Sequence, residues 1–195
     1  MYTAPVLLPM PKSQLRQALL ARRRVIPHDL VSTTQWKVAN HVRTLISDIS
    51  PSIIALYMPL EGEIDLTPLA EDLRQMGNTL ALPRVVAKKH PLAFNVWAEG
   101  DPLEPDALGL SAATGAEVWP RVIIVPMVGY TKQGHRVGYG GGYYDRTLAE
   151  APFPTLTIGV CYTELEAGVL LQPEAHDKKL DFIVTGKEVI APLDK

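Results

Sequence analysis

The hydrophobic pattern switches repeatedly between helical spacing and short apolar runs. Leu15, Ala18 and Leu19 form an apolar stripe at helical spacing, which predicts a helix from Lys12 to about Arg24, ended by Pro27. Ser32-x-x-Gln35 has the form of a capping box, with Val31 and Trp36 placed as its hydrophobic staple. It predicts a second helix running to about Ile49, with Val38, Ala39, Val42, Leu45, Ile46 and Ile49 on its packed face. The runs Ile53 to Tyr57, Leu80 to Pro83, Ala93 to Trp97, Val122 to Val125, Leu156 to Cys161 and Asp181 to Thr185 read as buried strands. Between the first two, Thr67 caps a helix with Pro68 at its first position and Gly77 just past its end. A short helix follows from Arg146 to Glu150, and residues 1–11, with Pro5, Pro9 and Pro11, read as an irregular arm. Helices alternating with short strands imply an α/β fold of three layers, expected as a single domain over 1–195.

Composition narrows the function classes. Hydrophobic residues make up 47% of the chain and charged ones 21%, the balance of a soluble globular protein. A net charge of −2 argues against a general nucleic-acid binder but does not exclude a local basic pocket. No apolar run approaches the roughly 18 residues of a membrane span, and no basic region precedes Val6-Leu7-Leu8 as a signal peptide requires. The cytoplasm is the expected compartment, with a monomer as the expected state and a dimer as the alternative. Cys161 is the single cysteine and sits in an apolar run, which predicts a buried, inert thiol.

The chemistry concentrates between Val125 and Asp145. An apolar strand leads through a polar loop to Gly138, Gly140, Gly141 and Gly142, then to Tyr143, Tyr144 and Asp145. Strand, glycine loop and helix start form a phosphate-binding layout, because glycines let backbone N–H groups approach anionic oxygens. Lys132, His135 and Arg136 add cationic side chains, and Asp145 is a carboxylate suited to holding Mg2+ on phosphates. The standard fingerprints are missing: Tyr143 stands where a dinucleotide loop wants glycine, and no G-x-x-x-x-G-K-[ST] occurs. Lys12, Arg16 and Arg23 line one edge of the first helix, which by composition alone is a solvated basic face. Glu61, Glu63 and Asp65 follow the first strand, where open α/β sheets place ligands. Trp97 is read equally as a stacking platform for a ring and as a packed side chain. His176-Asp177 lacks the companions a zinc site needs.

Gly134-x-Arg136-Val137-Gly138-x-Gly140-Gly-Gly-Tyr-Tyr-Asp145, preceded by Val125-Pro126, resembles the signature of the 5-formyltetrahydrofolate cyclo-ligases, also called 5,10-methenyltetrahydrofolate synthetases. The resemblance spans nearly the whole chain. It implies a mostly parallel sheet flanked by helices, related to the sugar-phosphate isomerase and CoA-transferase folds. It also implies the reaction ATP + 5-formyltetrahydrofolate → 5,10-methenyltetrahydrofolate + ADP + phosphate, with ATP as co-substrate and Mg2+ as cofactor. The implied ATP site comprises Lys12, Ser13, Gln14, Leu15 and Arg16, then Arg136, Val137, Gly138, Tyr139, Gly140, Gly141, Gly142, Tyr143 and Tyr144. Lys12, Arg16 and Arg136 are expected to neutralise phosphate charge. Met58 and Glu63 match the family's folate contacts; Glu61 is the weaker alternative, and Tyr143 is placed to close over the substrate. Asp177 matches the second magnesium-associated carboxylate, beside Asp145. Residues 109–117 depart from the family pattern by lacking a Glu-Pro. Two other classes stay open here: a sugar-phosphate isomerase, needing neither ATP nor metal, and a folate or nucleotide binder without turnover.

Overall fold

The computed structural model describes residues 9–192. Most of the expected N-terminal arm, residues 1–8, lies outside the described residues. Helix α1 spans Lys12–Arg24 and buries Leu15 and Leu19, while Ala18 faces solvent. Leu19 rests on Gly129, where a Cβ would lie 2.5 Å from Leu19 Cδ1 and 2.9 Å from the Leu165 carbonyl oxygen. Only a residue without a side chain allows so close an approach.

Helix α2 runs His28–Ser47, so it starts one turn before the expected capping box. Pro27 stands at its N-cap and Asp29 occupies the first turn, where a negative charge favours the helix dipole. Ser32 is therefore inside the helix, and its hydroxyl donates back to the His28 carbonyl. Serine bonds a preceding carbonyl as readily as it caps a terminus, which is why the motif misleads. Trp36, expected as the staple, is 69% exposed on the outer face. The inner face carries Val38, Val42 and Ile46, all buried.

The strands, in chain order, are β1 (Ile53–Ala55), β2 (Thr79–Val85), β3 (Leu92–Val96), β4 (Leu103–Pro105), β5 (Ser111–Ala113), β6 (Val122–Pro126), β7 (Gly129–Tyr130), β8 (Arg136–Val137), β9 (Leu156–Val160), β10 (Phe182–Val184) and β11 (Val189–Ile190). Seven of them form one sheet in the order β11-β10-β9-β6-β1-β2-β3. The five inner strands are parallel, and β3 and β11 pair antiparallel at the two edges. The inner strands are apolar runs buried on both faces, as a covered parallel sheet requires. Between β1 and β2 the chain makes a 3-10 turn, Thr67–Leu69, and helix α3, Ala70–Gln75. Asp65, not Thr67, supplies the capping oxygen there, accepting from both the amide and the hydroxyl of Thr67. Helix α4, Tyr143–Ala149, connects β8 to β9 and starts three residues before the expected Arg146.

The expected loop between β3 and β6 contains a small hairpin, β4 paired with β5. Its turn is built on the Asp106 carboxylate, which accepts from the amides of Val85, Leu108 and Leu110. Strand order reverses at β1, which has β2 on one side and β6 on the other. The chain leaves the C-terminal ends of β1 and β6 in opposite directions, opening a crevice where such sheets bind ligands. Ile46→Ala is expected to cost about 2–5 kcal/mol in equilibrium unfolding, the usual loss for a truncated core side chain. Trp36→Ala is expected to stay within about 0.5 kcal/mol of the parent; a staple would lose more.

Candidate functional site

Two segments leave the sheet at the crevice. From β1 the chain passes Met58, Glu61 and Glu63 before turning into the Thr67 helix. From β6 it passes Met127 and Val128 into the β7–β8 hairpin, then the glycine loop, then α4. The expected polar loop is thus a hairpin, closed by Thr131, whose amide donates to the His135 carbonyl, and by Gly134 at φ 88°. The hairpin delivers Arg136 into the site but turns Lys132 away, toward Glu188 at 3.7 Å. Helix α1 lays its basic edge along the same crevice.

On one side of the glycine loop, cations and carboxylates are paired. Lys12 Nζ is 2.6 Å from Asp177 Oδ2 and 3.0 Å from Glu174 Oε1. Burial lowers the pKa of the Lys12 ammonium, but the hydrogen bonds to Asp177 and Glu174 outweigh it and raise it. Asp177 is likewise raised by burial and brought below the usual carboxylate value by the Glu174 amide and Lys12. Arg136 Nη2 sits 2.6 Å from Asp145 Oδ1, and its Nη1 donates to the Lys178 carbonyl at 2.7 Å. The Lys178 amide closes this ring by donating to Asp145 Oδ1 at 3.0 Å. Arg16 Nε donates to the Gly138 carbonyl at 2.6 Å. Its guanidinium lies so close to Gly140, at φ +94°, that a Cβ there would be 3.0 Å from Arg16 Cζ. Gly141 lies flat against the Tyr143 ring, and Gly142, in the left-handed region, opens α4. Burial and Lys179 depress the His135 imidazole below its ordinary 6.5, which keeps it neutral at pH 7.

On the other side stands Glu63, 7% exposed. Its Oε2 accepts from the Leu60 amide at 2.8 Å and its Oε1 from the Tyr139 hydroxyl at 2.7 Å. Burial raises its pKa above 4.5. Met58 is half-buried nearby in sequence, and Glu61 contributes its backbone carbonyl, which accepts from Arg23 Nη2 at 3.0 Å. The Arg23 guanidinium lies 5.7 Å from the centre of the Tyr139 ring. Arg23 and Tyr162 belong to this group; the sequence put Arg23 on a basic helix edge without giving it a site role and did not mark Tyr162. For Arg23 the signal was there: it shares the helical edge of Lys12 and Arg16.

Several expected residues fall elsewhere. Trp97 does not join the crevice; it follows β3, whose Val96 pairs with Ala81 near the N-terminal end of β2, and Arg74 stacks 5.9 Å from its ring centre. Leu15 is a core side chain, Ser13 and Gln14 face solvent, and Val137 and Tyr144 pack inward from the loop. Cys161 is buried, and burial pushes its thiol up to about 12, which removes it as a nucleophile.

Among the described residues no three His, Cys, Asp or Glu side chains form a ready metal cluster. The donor set nevertheless fits magnesium bridged to phosphates, which takes one or two carboxylates and completes its shell with phosphate oxygens and water. Asp145 uses only Oδ1 in its contacts with Arg136 and Lys178, and Asp177 uses only Oδ2 toward Lys12. The residue after Asp177 meets Asp145 directly, the Lys178 amide donating to Asp145 Oδ1.

Comparison with known proteins identifies the family. The model of the 5-formyltetrahydrofolate cyclo-ligase family matches residues 10–186. A 5-formyltetrahydrofolate cyclo-ligase of Mycolicibacterium smegmatis is 32% identical over 198 residues, covering 95% of this chain and 98% of the relative. One from Escherichia coli K12 is 27% identical over 183 residues, covering 86% and 96%. The solution structure of the Aquifex aeolicus 5,10-methenyltetrahydrofolate synthetase superposes with a TM-score of 0.78 at 29% identity, covering 95% of each chain. With the match running from the start of α1 to the end of β10 and through the whole glycine loop, the chain belongs to the 5-formyltetrahydrofolate cyclo-ligase family.

Proposed function

We infer that the protein is an ATP-dependent ligase that closes 5-formyltetrahydrofolate to 5,10-methenyltetrahydrofolate, releasing ADP and phosphate. One observation carries the assignment of sites: a single loop adjoins both candidate substrate pockets. Tyr139 bonds Glu63, while its neighbours Gly138 and Gly140 meet Arg16.

The formamide oxygen is a poor leaving group. Transfer of the γ-phosphoryl group to it converts it to phosphate; N10 then attacks the activated carbon, the ring closes and phosphate departs. Phosphoryl transfer needs positioning and charge neutralisation more than a protein nucleophile. Lys12, Arg16 and Arg136 neutralise the phosphates, exchanging their present partners for phosphate oxygens. Gly138 to Gly142 present backbone to the triphosphate, and Val137 and Tyr144 anchor that loop. Glu63 accepts two hydrogen bonds from the aminopyrimidine edge of the pterin, as a carboxylate can, and Met58 borders the ring. Tyr143, whose ring lies against Gly141 and 5.1 Å from the Arg146 guanidinium, closes over the bound substrates. Magnesium, held by Asp145 and Asp177, supplies further charge neutralisation on ATP when bound. The reading extends to a single-domain, cytoplasmic monomer. One continuous sheet and one core cluster support the single domain, and among the described residues no helix is long and apolar enough to cross a membrane.

Mixing the protein with 5-formyltetrahydrofolate, ATP and magnesium is expected to produce the near-ultraviolet absorbance of the methenyl product. Omitting ATP or chelating the metal should abolish the signal; a flat trace from folded protein with all components present would overturn the assignment. Arg16→Ala is expected to raise KM for ATP about 10- to 100-fold, the worth of a charge-assisted hydrogen bond, with a smaller effect on the folate KM. The reverse order would remove Arg16 from the phosphate site. Because Glu63 must be ionised to accept from the ring and its pKa lies above 4.5, kcat/KM for the folate should fall as pH drops through that raised value and level off above it. In Glu63→Gln this acidic limb should vanish and the folate KM should be high at every pH.

A further inference from the structure

A small, partly open void of about 10 Å3 includes Glu63 in its lining, together with Arg23, Tyr57, Met127, Cys161 and Tyr162 among others. Two of these side chains carry buried polar atoms with no hydrogen-bond partner in the protein: Arg23 Nη1 and the Tyr162 hydroxyl. Arg23 is 9% exposed and Tyr162 2%. An unsatisfied buried donor costs about 1–3 kcal/mol, more when charged, so two of them lining one small space call for an acceptor there. Burial raises the Tyr162 pKa, so its hydroxyl stays protonated and able to donate.

Arg23 is held firmly at its other atoms. Nη2 donates to the Glu61 carbonyl, and the side chain presses on Gly62, where a Cβ at φ +75° would lie 3.2 Å from Arg23 Nε. The ring of Tyr139 lies over its guanidinium. This leaves one fixed, charged donor next to the Glu63 carboxylate.

The recognition edge of a folate ring reads 2-amino donor, N3–H donor, 4-oxo acceptor, in that order. A carboxylate satisfies the two donors. The next position along the edge requires a donor from the protein. We propose that Arg23 and Tyr162 receive the 4-oxo group of the folate ring, making Arg23 a specificity-determining residue that selects 4-oxo over 4-amino rings. The proposal rests on the reading that Glu63 binds the aminopyrimidine edge. The void itself has room for one oxygen-sized group; the ring occupies the space that Tyr139 now fills. Tyr139 is flanked by Gly138, with open space at its Cβ position, and Gly140 at φ +94°, so the loop has the freedom to turn that side chain away from Glu63 and Arg23. A 4-amino ring would set its N–H groups against the guanidinium N–H groups.

Tyr162→Phe removes a hydroxyl that bonds nothing in the protein, so its thermal unfolding should match or exceed that of the parent. Its KM for 5-formyltetrahydrofolate should rise about three- to tenfold, with the ATP KM unchanged. Arg23→Met, which keeps an apolar stem, should weaken equilibrium binding of 5-formyltetrahydrofolate about tenfold or more. Its affinity for the 4-amino analogue of the same compound should not fall and should rise, because the clash between two sets of donors is removed. A purely structural role for Arg23 would weaken both rings alike, and that result overturns the proposal. Parental folate binding in both variants also overturns it. Glu63→Gln separates the two levels: if it is impaired while Arg23→Met and Tyr162→Phe are not, only the 4-oxo assignment falls. If Glu63→Gln binds folate normally, the placement of the ring itself falls.

Discussion

The ion pair between Arg136 and Asp145 is the constraint on which the crevice depends. Its two members bracket the glycine loop, and the Arg136 side chain is 7% exposed. Both also bond the backbone of Lys178, so the hairpin, the loop, the first turn of α4 and the C-terminal segment converge on one junction. Desolvating such a pair is costly, and leaving one partner without the other costs more. The extra bonds to Lys178 offset part of that cost. With its ends fixed in this way, a stretch of four glycines in five positions keeps a defined path although its backbone is intrinsically permissive.

The same logic extends across the crevice. Each cation on the proposed phosphate side has an oxygen partner: Asp177 and Glu174 for Lys12, the Gly138 carbonyl for Arg16, Asp145 for Arg136. Binding there is therefore an exchange of partners, not the filling of a bare basic pocket. The cationic groups are already oriented, so little ordering entropy remains to be lost when a polyanion arrives. A net charge of −2 is consistent with this arrangement, since the basic residues are locally matched by carboxylates.

Much of this was legible from the sequence, and the failures have physical causes. The parallel strands announced themselves as apolar runs because both faces are buried. Helix α1 and its basic edge followed from a simple periodicity. Helix α2 began early because Pro27 and Asp29 open it, while Ser32 satisfies itself on a carbonyl inside the helix. The β4–β5 hairpin escaped because strands of three residues have too little alternation to read, and its turn is set by Asp106 through space. Trp97 was ambiguous by chemistry, and only the antiparallel register of β3 puts it at the far end of the sheet. Arg23 could be placed on the right edge of α1, but its approach to Glu61, Glu63 and Tyr139 is a tertiary fact that helix spacing does not contain.

Tyr139 gives the loop a second meaning. Its hydroxyl is fastened to Glu63 while the carbonyl of the preceding residue is fastened to Arg16. A displacement at either end is felt at the other within two peptide units. Were the two proposed sites coupled through so short a tether, the linkage would be reciprocal: the factor by which one occupant alters the affinity for the second is the factor by which the second alters the first. On the proposed reading, a ring that freed the loop from Glu63 would thereby reset the backbone offered to the nucleotide. The half-loaded enzyme would then differ from the fully loaded one in the very segment that would cradle the γ-phosphate, which would discourage futile loss of that phosphate to water before both reactants are in place.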